Sequence, residues 1–482
     1  MKKPKPVHSW LRPVHAAFAP GESTPILDQA VRELLEEMQR MGHGVQSSPN
    51  NQTEVILTTA RFGEPLPWRN ALLFSARRRY DLQHVPMIYT LMQVARVEFD
   101  RTVDQLRSAL MKNPVDQRDF IFDGLAPDAW KVLVEQGQRG GPMLALQRRL
   151  QAQVKSLRII LFVGDGVPEC AYHFDLVGAY PRSMAGSDFY ADITLRIATA
   201  IAAKEVPPIQ AIDEVVSDTL WESLDAVRAM KAASQEFGGR DFFTSMIRIS
   251  DLIGVRSVSD AVANQYSEGC FGTWCTELSA LVVTATGSAH PVNKSQITDA
   301  HLAVVKGNHQ AIFAMKIDGR PHQTPSSESH EMVEMDHILP RIKLPGSGEV
   351  PVVRSKLHGH RGITAYHSDK VEYVPMAEPY FHYLVSCGTY PQAYGVVDAF
   401  AGSCALNNTD DPRQVVFTIL PGHGVFIVEK WVAGTEPFQT IWEYFDAGYL
   451  CVSSDVPQGL MEYVQDMDGM MKLHAVSGQP AQ

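Results

Sequence analysis

Val415-Val416-Phe417-Thr418-Ile419-Leu420-Pro421-Gly422-His423-Gly424-Val425-Phe426-Ile427-Val428-Glu429-Lys430-Trp431 reads as two strands joined by a tight turn. The β-branched and aromatic residues favour extended chain, and the Pro-Gly and second glycine punctuate it. Working outward, further strands are expected at 278–286, 301–305, 311–317 and 350–357. Helices are expected at 328–337 and 392–401, with a closing helix at 435–450. Strands outnumber helices, so the second half is expected to hold a central, largely antiparallel sheet with helices on its faces.

The first half alternates differently. Thr24-Pro25 starts a helix, with Thr24 as N-cap and Pro25 at the first helical position; Ile26, Ala30, Leu34 and Met38 follow at fourfold spacing and Gly42 ends it. Strands are read at 55–59, 87–91 and 158–163, and helices at 68–80, 95–111, 127–136, 142–155 and 188–204. Alternating strands and helices imply an α/β domain with a mostly parallel sheet covered on both faces. Val206-Pro207-Pro208 marks the boundary, because paired prolines cannot continue a helix. Two domains are expected, 1–205 and 206–482. The second opens on one long helix over 209–237 and another over 241–253.

The chain has 482 residues, 45% hydrophobic and 20% charged, with a net charge of −11. That size exceeds one core. The acidic balance argues against nucleic acid as partner. No run of 18 or more apolar residues occurs and the basic N-terminus leads into no apolar segment, so a cytoplasmic protein without membrane contact is expected. Six cysteines form no C-x-x-C pair and are read as reduced thiols.

Ten of the 17 histidines fall between His290 and His382, which directs attention to the second half. His358-Gly359-His360 ends a strand-like run, where residues two apart share a face, so both rings can reach one ion. His423 sits between two glycines that allow a tight turn. Three neutral ligands would leave an open fourth position. Glu328 starts a helix after Ser326 and Ser327. Its carboxylate could act as a fourth ligand or a general base, and the helix start with two hydroxyls could hold phosphate. Each motif also has a plain account: a chance surface His pair, a turn with a polar tip, a well-capped helix.

Taken in order, these motifs resemble the class II aldolase/adducin family over about residues 266–450. Ser267 to Trp274 stands where the family has a Gly-Asn loop and a strand, with Cys270 replacing the asparagine. Thr284-Ala285-Thr286-Gly287 is similar to its Thr-Pro-x-Gly turn, and Ile317-Asp318-Gly319 to its aspartate-glycine strand. Pro325-Ser326-Ser327-Glu328, His358-Gly359-His360 and Leu420 to Val425 match its three site motifs. The resemblance implies a divalent ion, zinc foremost, on His358, His360 and His423. It implies Glu328 as acid/base, and a phosphate pocket from Thr286, Gly287, Ser326 and Ser327. It further implies an aldolase-type lyase working through an enediolate on a small phosphorylated sugar or polyol-derived substrate, in a homo-oligomer. Dehydratase, decarboxylase or epimerase outcomes share that intermediate. The alternatives are a non-catalytic adducin-like interaction module and a zinc hydrolase using Glu328 as base. No family is recognised for residues 1–205. There Gly164-Asp165-Gly166 lacks the third glycine of a dinucleotide loop. Arg61 and Arg77–Arg79 follow a strand, where arginines can bind an anion or simply face solvent.

Overall fold

The computed structural model describes residues 12–62, 86–101, 158–168, 170–174, 180–183, 189–202, 209–240, 242–243, 269–285, 294–308, 311–346, 348–359, 363–376, 390–420 and 424–452. The helices expected at 68–80, 127–136 and 142–155 lie outside these residues, as do most of those at 95–111 and 241–253. Residues 96–101 are helical, while Phe242 and Phe243 are not.

The N-terminal elements are β1 (His15–Ala19), α1 (Pro25–Arg40), β2 (Gly44–Gln46), β3 (Val55–Thr59), β4 (Met87–Val94), β5 (Ile159–Val163), β6 (Cys170–Phe174), β7 (Tyr180–Ser183) and α2 (Phe189–Ala202). Strands β2-β1-β3-β4-β5 form five parallel neighbours. Strands β6 and β7 extend the sheet antiparallel. All five residues of β5 are buried, as a strand covered on both faces requires. Thr24 caps α1, its Oγ1 accepting the Leu27 N–H at 3.1 Å. The buried stripe is Leu27, Ala30, Val31, Leu34 and Met38, and this helix packs on α2.

The second group runs β8 (Ile209–Val216), α3 (Asp218–Ser223), α4 (Asp225–Gly239), β9 (Cys270–Cys275), β10 (Ala280–Thr284), β11 (Leu302–Asn308), β12 (Ala311–Ile317), α5 (Ser329–Ile338), β13 (Arg341–Lys343), β14 (Glu349–Pro351), β15 (Val353–Gly359), β16 (Ile363–Tyr366), β17 (Val371–Tyr373), α6 (Tyr390–Ala401), α7 (Cys404–Asn407), β18 (Val415–Leu420), β19 (Gly424–Lys430), α8 (Gln439–Asp446) and β20 (Leu450–Val452). Nine strands form one sheet in the order β17-β18-β19-β15-β9-β10-β11-β12-β8. Only the two outer pairs, β17–β18 and β12–β8, are parallel. The chain is therefore α/β, with a parallel-type sheet followed by a mixed, mostly antiparallel one.

Two segments depart from expectation. Residues 209–237 are not one helix. Ile209–Val216 pairs with β12, Ser217 then caps α3, and Leu224 separates α3 from α4. The closing helix is short. Phe438 takes a left-handed backbone (φ 70°) just before α8, and residues 450–452 are a strand.

Alternation along the strands sends apolar residues to two layers. One holds Phe237, Phe242, Phe243, Phe271, Leu357, Ile427 and Phe438. Phe243 stacks on Phe271 at 5.3 Å, and Phe237 meets Phe438 edge-on. The other holds Cys270, Val283, Met332, Met335, Val396, Phe400, Phe426 and Val428, where α5 packs on α6. Within this second layer Lys356 Nζ lies 2.7 Å from Asp336 Oδ1, both buried. Burial pushes the Asp336 carboxyl up to about 6 and the Lys356 ammonium down, against the attraction between them. Replacing Lys356 by Ala strands a buried charge and should cost about 3–5 kcal/mol in denaturant unfolding, whereas combining Lys356→Met with Asp336→Leu should recover most of it.

Candidate functional site

The segment before α5 is fixed to the end of β10. Ser326 N donates to Thr284 O at 2.9 Å, and Pro325 forms a single antiparallel bridge with Ala285. The chain turns through Ser326, whose Oγ accepts the Glu328 N–H at 3.4 Å and whose carbonyl accepts the Ser329 N–H at 3.0 Å. Glu328 thus occupies the N-cap position of α5, where the helix dipole favours a carboxylate. It is 5% exposed, and Ser326 and Ser327 are also buried.

His358 is the penultimate residue of β15. In register it faces Cys270 of β9 on one side and Phe426 of β19 on the other. Its ring stacks on Phe426 at 5.6 Å. A Cβ on Gly359 beside it would lie 2.3 Å from the Phe242 ring, so a larger residue there would have to displace that ring. His358 Nδ1 lies 3.0 Å from Val425 O, and Nε2 lies 3.4 Å from Glu328 Oε2. The same Oε2 accepts from Cys270 Sγ at 3.4 Å. Burial, and then the Glu328 charge, hold the Cys270 thiol well above its ordinary range, so it keeps its proton and donates.

The histidine tautomer follows from its neighbours. A carbonyl oxygen only accepts, so Nδ1 carries the hydrogen. In the neutral ring Nε2 then turns its lone pair towards a carboxylate oxygen. A proton or a metal cation placed between these two atoms would be attracted by both. Fixing one ring nitrogen on a carbonyl is also how metal-ligating histidines are oriented. His358 and Glu328 would therefore supply two donors of a metal centre, or share a proton.

The structure brings together Glu328, His358, Ser326 and Ser327 of the expected site. Thr286, Gly287, His360 and His423 lie outside the described residues. Their attachment points do not. Gly359 pairs with Val425, and Gly424 pairs with Leu420, at this end of the sheet. Among the described residues no group of three or more His, Cys, Asp or Glu side chains is arranged to hold an ion.

Cys270 is the residue that sequence reasoning missed. Expected in a loop, it is the first residue of β9, and only the β9–β15 register places it beside Glu328. Among the described cysteines Cys270, Cys275 and Cys404 are free thiols. Iodoacetamide at about pH 8 should label exposed Cys404 in the folded protein and leave Cys270 unlabelled until denaturant is added, as peptide mass spectrometry would show.

No family model matches this chain, and no curated protein or solved structure matches it either. Among the described residues no helix is long and apolar enough to cross a membrane.

Proposed function

We propose that the second half is a divalent-metal-dependent, aldolase-type lyase acting on a small sugar phosphate or related polyol-derived substrate. The observation that carries this reading is the buried approach of Glu328 Oε2 to His358 Nε2 at 3.4 Å. Burying a carboxylate against an imidazole carries a large desolvation cost, which an apolar pair of the same volume would avoid. Such pairs concentrate where chemistry is done. This favours an enzyme over an adducin-like interaction module.

In this reading His358, His360 and His423 would hold a zinc or similar ion, which would supply positive charge beside the substrate oxygens. Glu328 carries the proton between substrate carbon or oxygen and the site. The Cys270 thiol holds the carboxylate in place from the strand side. Ser326, Ser327, Thr286 and Gly287 would line the phosphate pocket, with Ser326 Oγ also accepting the Glu328 N–H. Burial of Glu328 and His358 would keep bulk water from the reacting atoms.

The test is elemental analysis of the purified protein together with a screen of phosphorylated sugars for aldehyde or ketone release. His358→Ala should lose the metal and lower turnover by at least about a hundredfold. A His358→Ala protein that is free of metal yet fully active would overturn the proposal. Hydrolysis without carbon–carbon cleavage would replace it with a zinc hydrolase.

A further inference from the structure

Helix α6 reaches both members of the Glu328–His358 pair at one remove. At its start, Gln392 Nε2 donates to Glu331 Oε1 at 2.7 Å, and both side chains are fully buried. Near its end, Phe400 meets Phe426 edge-on at 6.1 Å, and Phe426 in turn stacks on His358. The first of these contacts is the unusual one. Gln392 and Glu331 are each the third residue of their helix, so the starts of α6 and α5 meet at a carboxylate. Both helix dipoles favour a negative charge there. Glu331 follows Glu328 by three positions, and residues so spaced are neighbours on a helix surface.

Glutamine is seldom fully buried. Here its Oε1 also has no hydrogen-bond partner among the described residues. An apolar residue of similar volume would join the helices without that cost. The amide therefore calls for a reason beyond packing, and its Nε2 donor supplies one.

Two buried carboxylates act on a single thiol. Cys270 Sγ donates to Glu328 Oε2 at 3.4 Å. Burial first, then the charge of Glu328, and more weakly that of Glu331, push this thiol up, so Glu331 is also close to it. Buried acceptors take whatever donors they can reach. With the Gln392 amide on Glu331, the thiol hydrogen goes to Glu328.

We infer that Gln392 is a positioning residue: by engaging Glu331 it reserves the Cys270 thiol for Glu328, and so fixes the carboxylate oxygen that faces His358 Nε2. That Glu328 moves a proton in turnover belongs to the lyase reading, on which the catalytic part of this inference rests. The arrangement of donors does not depend on it.

The test is infrared absorption of the full chain in the S–H stretching region, where a difference spectrum against Cys270→Ala assigns the Cys270 band. Gln392→Met keeps the volume and removes the donor. It should move the band, because Glu331 then draws on the thiol. Adding Glu331→Leu removes the competing charge and should return the band to its original position. With a substrate from the sugar-phosphate screen, Gln392→Met should lower kcat about tenfold at unchanged KM, and the double variant should recover it. Should Gln392→Met fail to fold by circular dichroism, Gln392→Asn, whose amide falls one methylene short, takes its place. A band that stays in place, or one that moves and is not restored by Glu331→Leu, would overturn the inference and leave Gln392 as helix packing. A band that moves and is restored, in a chain that cleaves no sugar phosphate, would uphold the positioning and count against the lyase reading instead.

Discussion

The position of β15 between β9 and β19 is the constraint on which the candidate site rests. In that register Lys356 and His358 face α5, while Leu357 faces the phenylalanine layer. A slip of one residue would exchange these faces. It would drive an ammonium group among aromatic rings and remove His358 from Glu328. The alternation of charged and apolar residues in β15 therefore selects the pairing, because a shifted one buries a charge without a partner.

Helix α5 is held at both ends by the same strand. Glu328 at its start meets His358, and Asp336 near its end meets Lys356. The two contacts differ electrostatically. The helix dipole favours a carboxylate at the start and disfavours one near the end, so Asp336 depends on Lys356 more than Glu328 depends on a cation. The neighbouring strand β19 uses a buried carboxylate in a third way. Glu429 accepts the N–H groups of Phe438 at 2.7 Å and Thr440 at 2.8 Å, anchoring the start of α8.

Much of this is legible in the sequence wherever the signal is local. The Thr24-Pro25 start of α1 is a capping pattern complete within one helical turn, and β3 and β18 are compact β-branched runs. Glu328 and His358 are readable because their motifs are contiguous. The failures are non-local. Ile209, Ile212 and Val216 repeat at helical spacing, yet they form a strand because β12 offers a free flank for main-chain bonds, and no local pattern records that offer. The contact of Cys270 with Glu328 likewise depends on a register between β9 and β15, which are far apart in the chain.

Strand β8 has a bearing on how this protein can be divided. Among the described residues it follows α2 and is the outermost strand of the second sheet, where Asp213 and Glu214 are paired with Lys316 and Lys306. These charges guard an open flank against adhesion to other chains. A cleavage after Val216 would leave β12 bare, with its amides and carbonyls unmatched and its apolar residues Ile312 and Ala314 newly wetted. The C-terminal fragment from such a cut would be prone to stick to itself, whereas one severed before Ile209 would keep its own protective border.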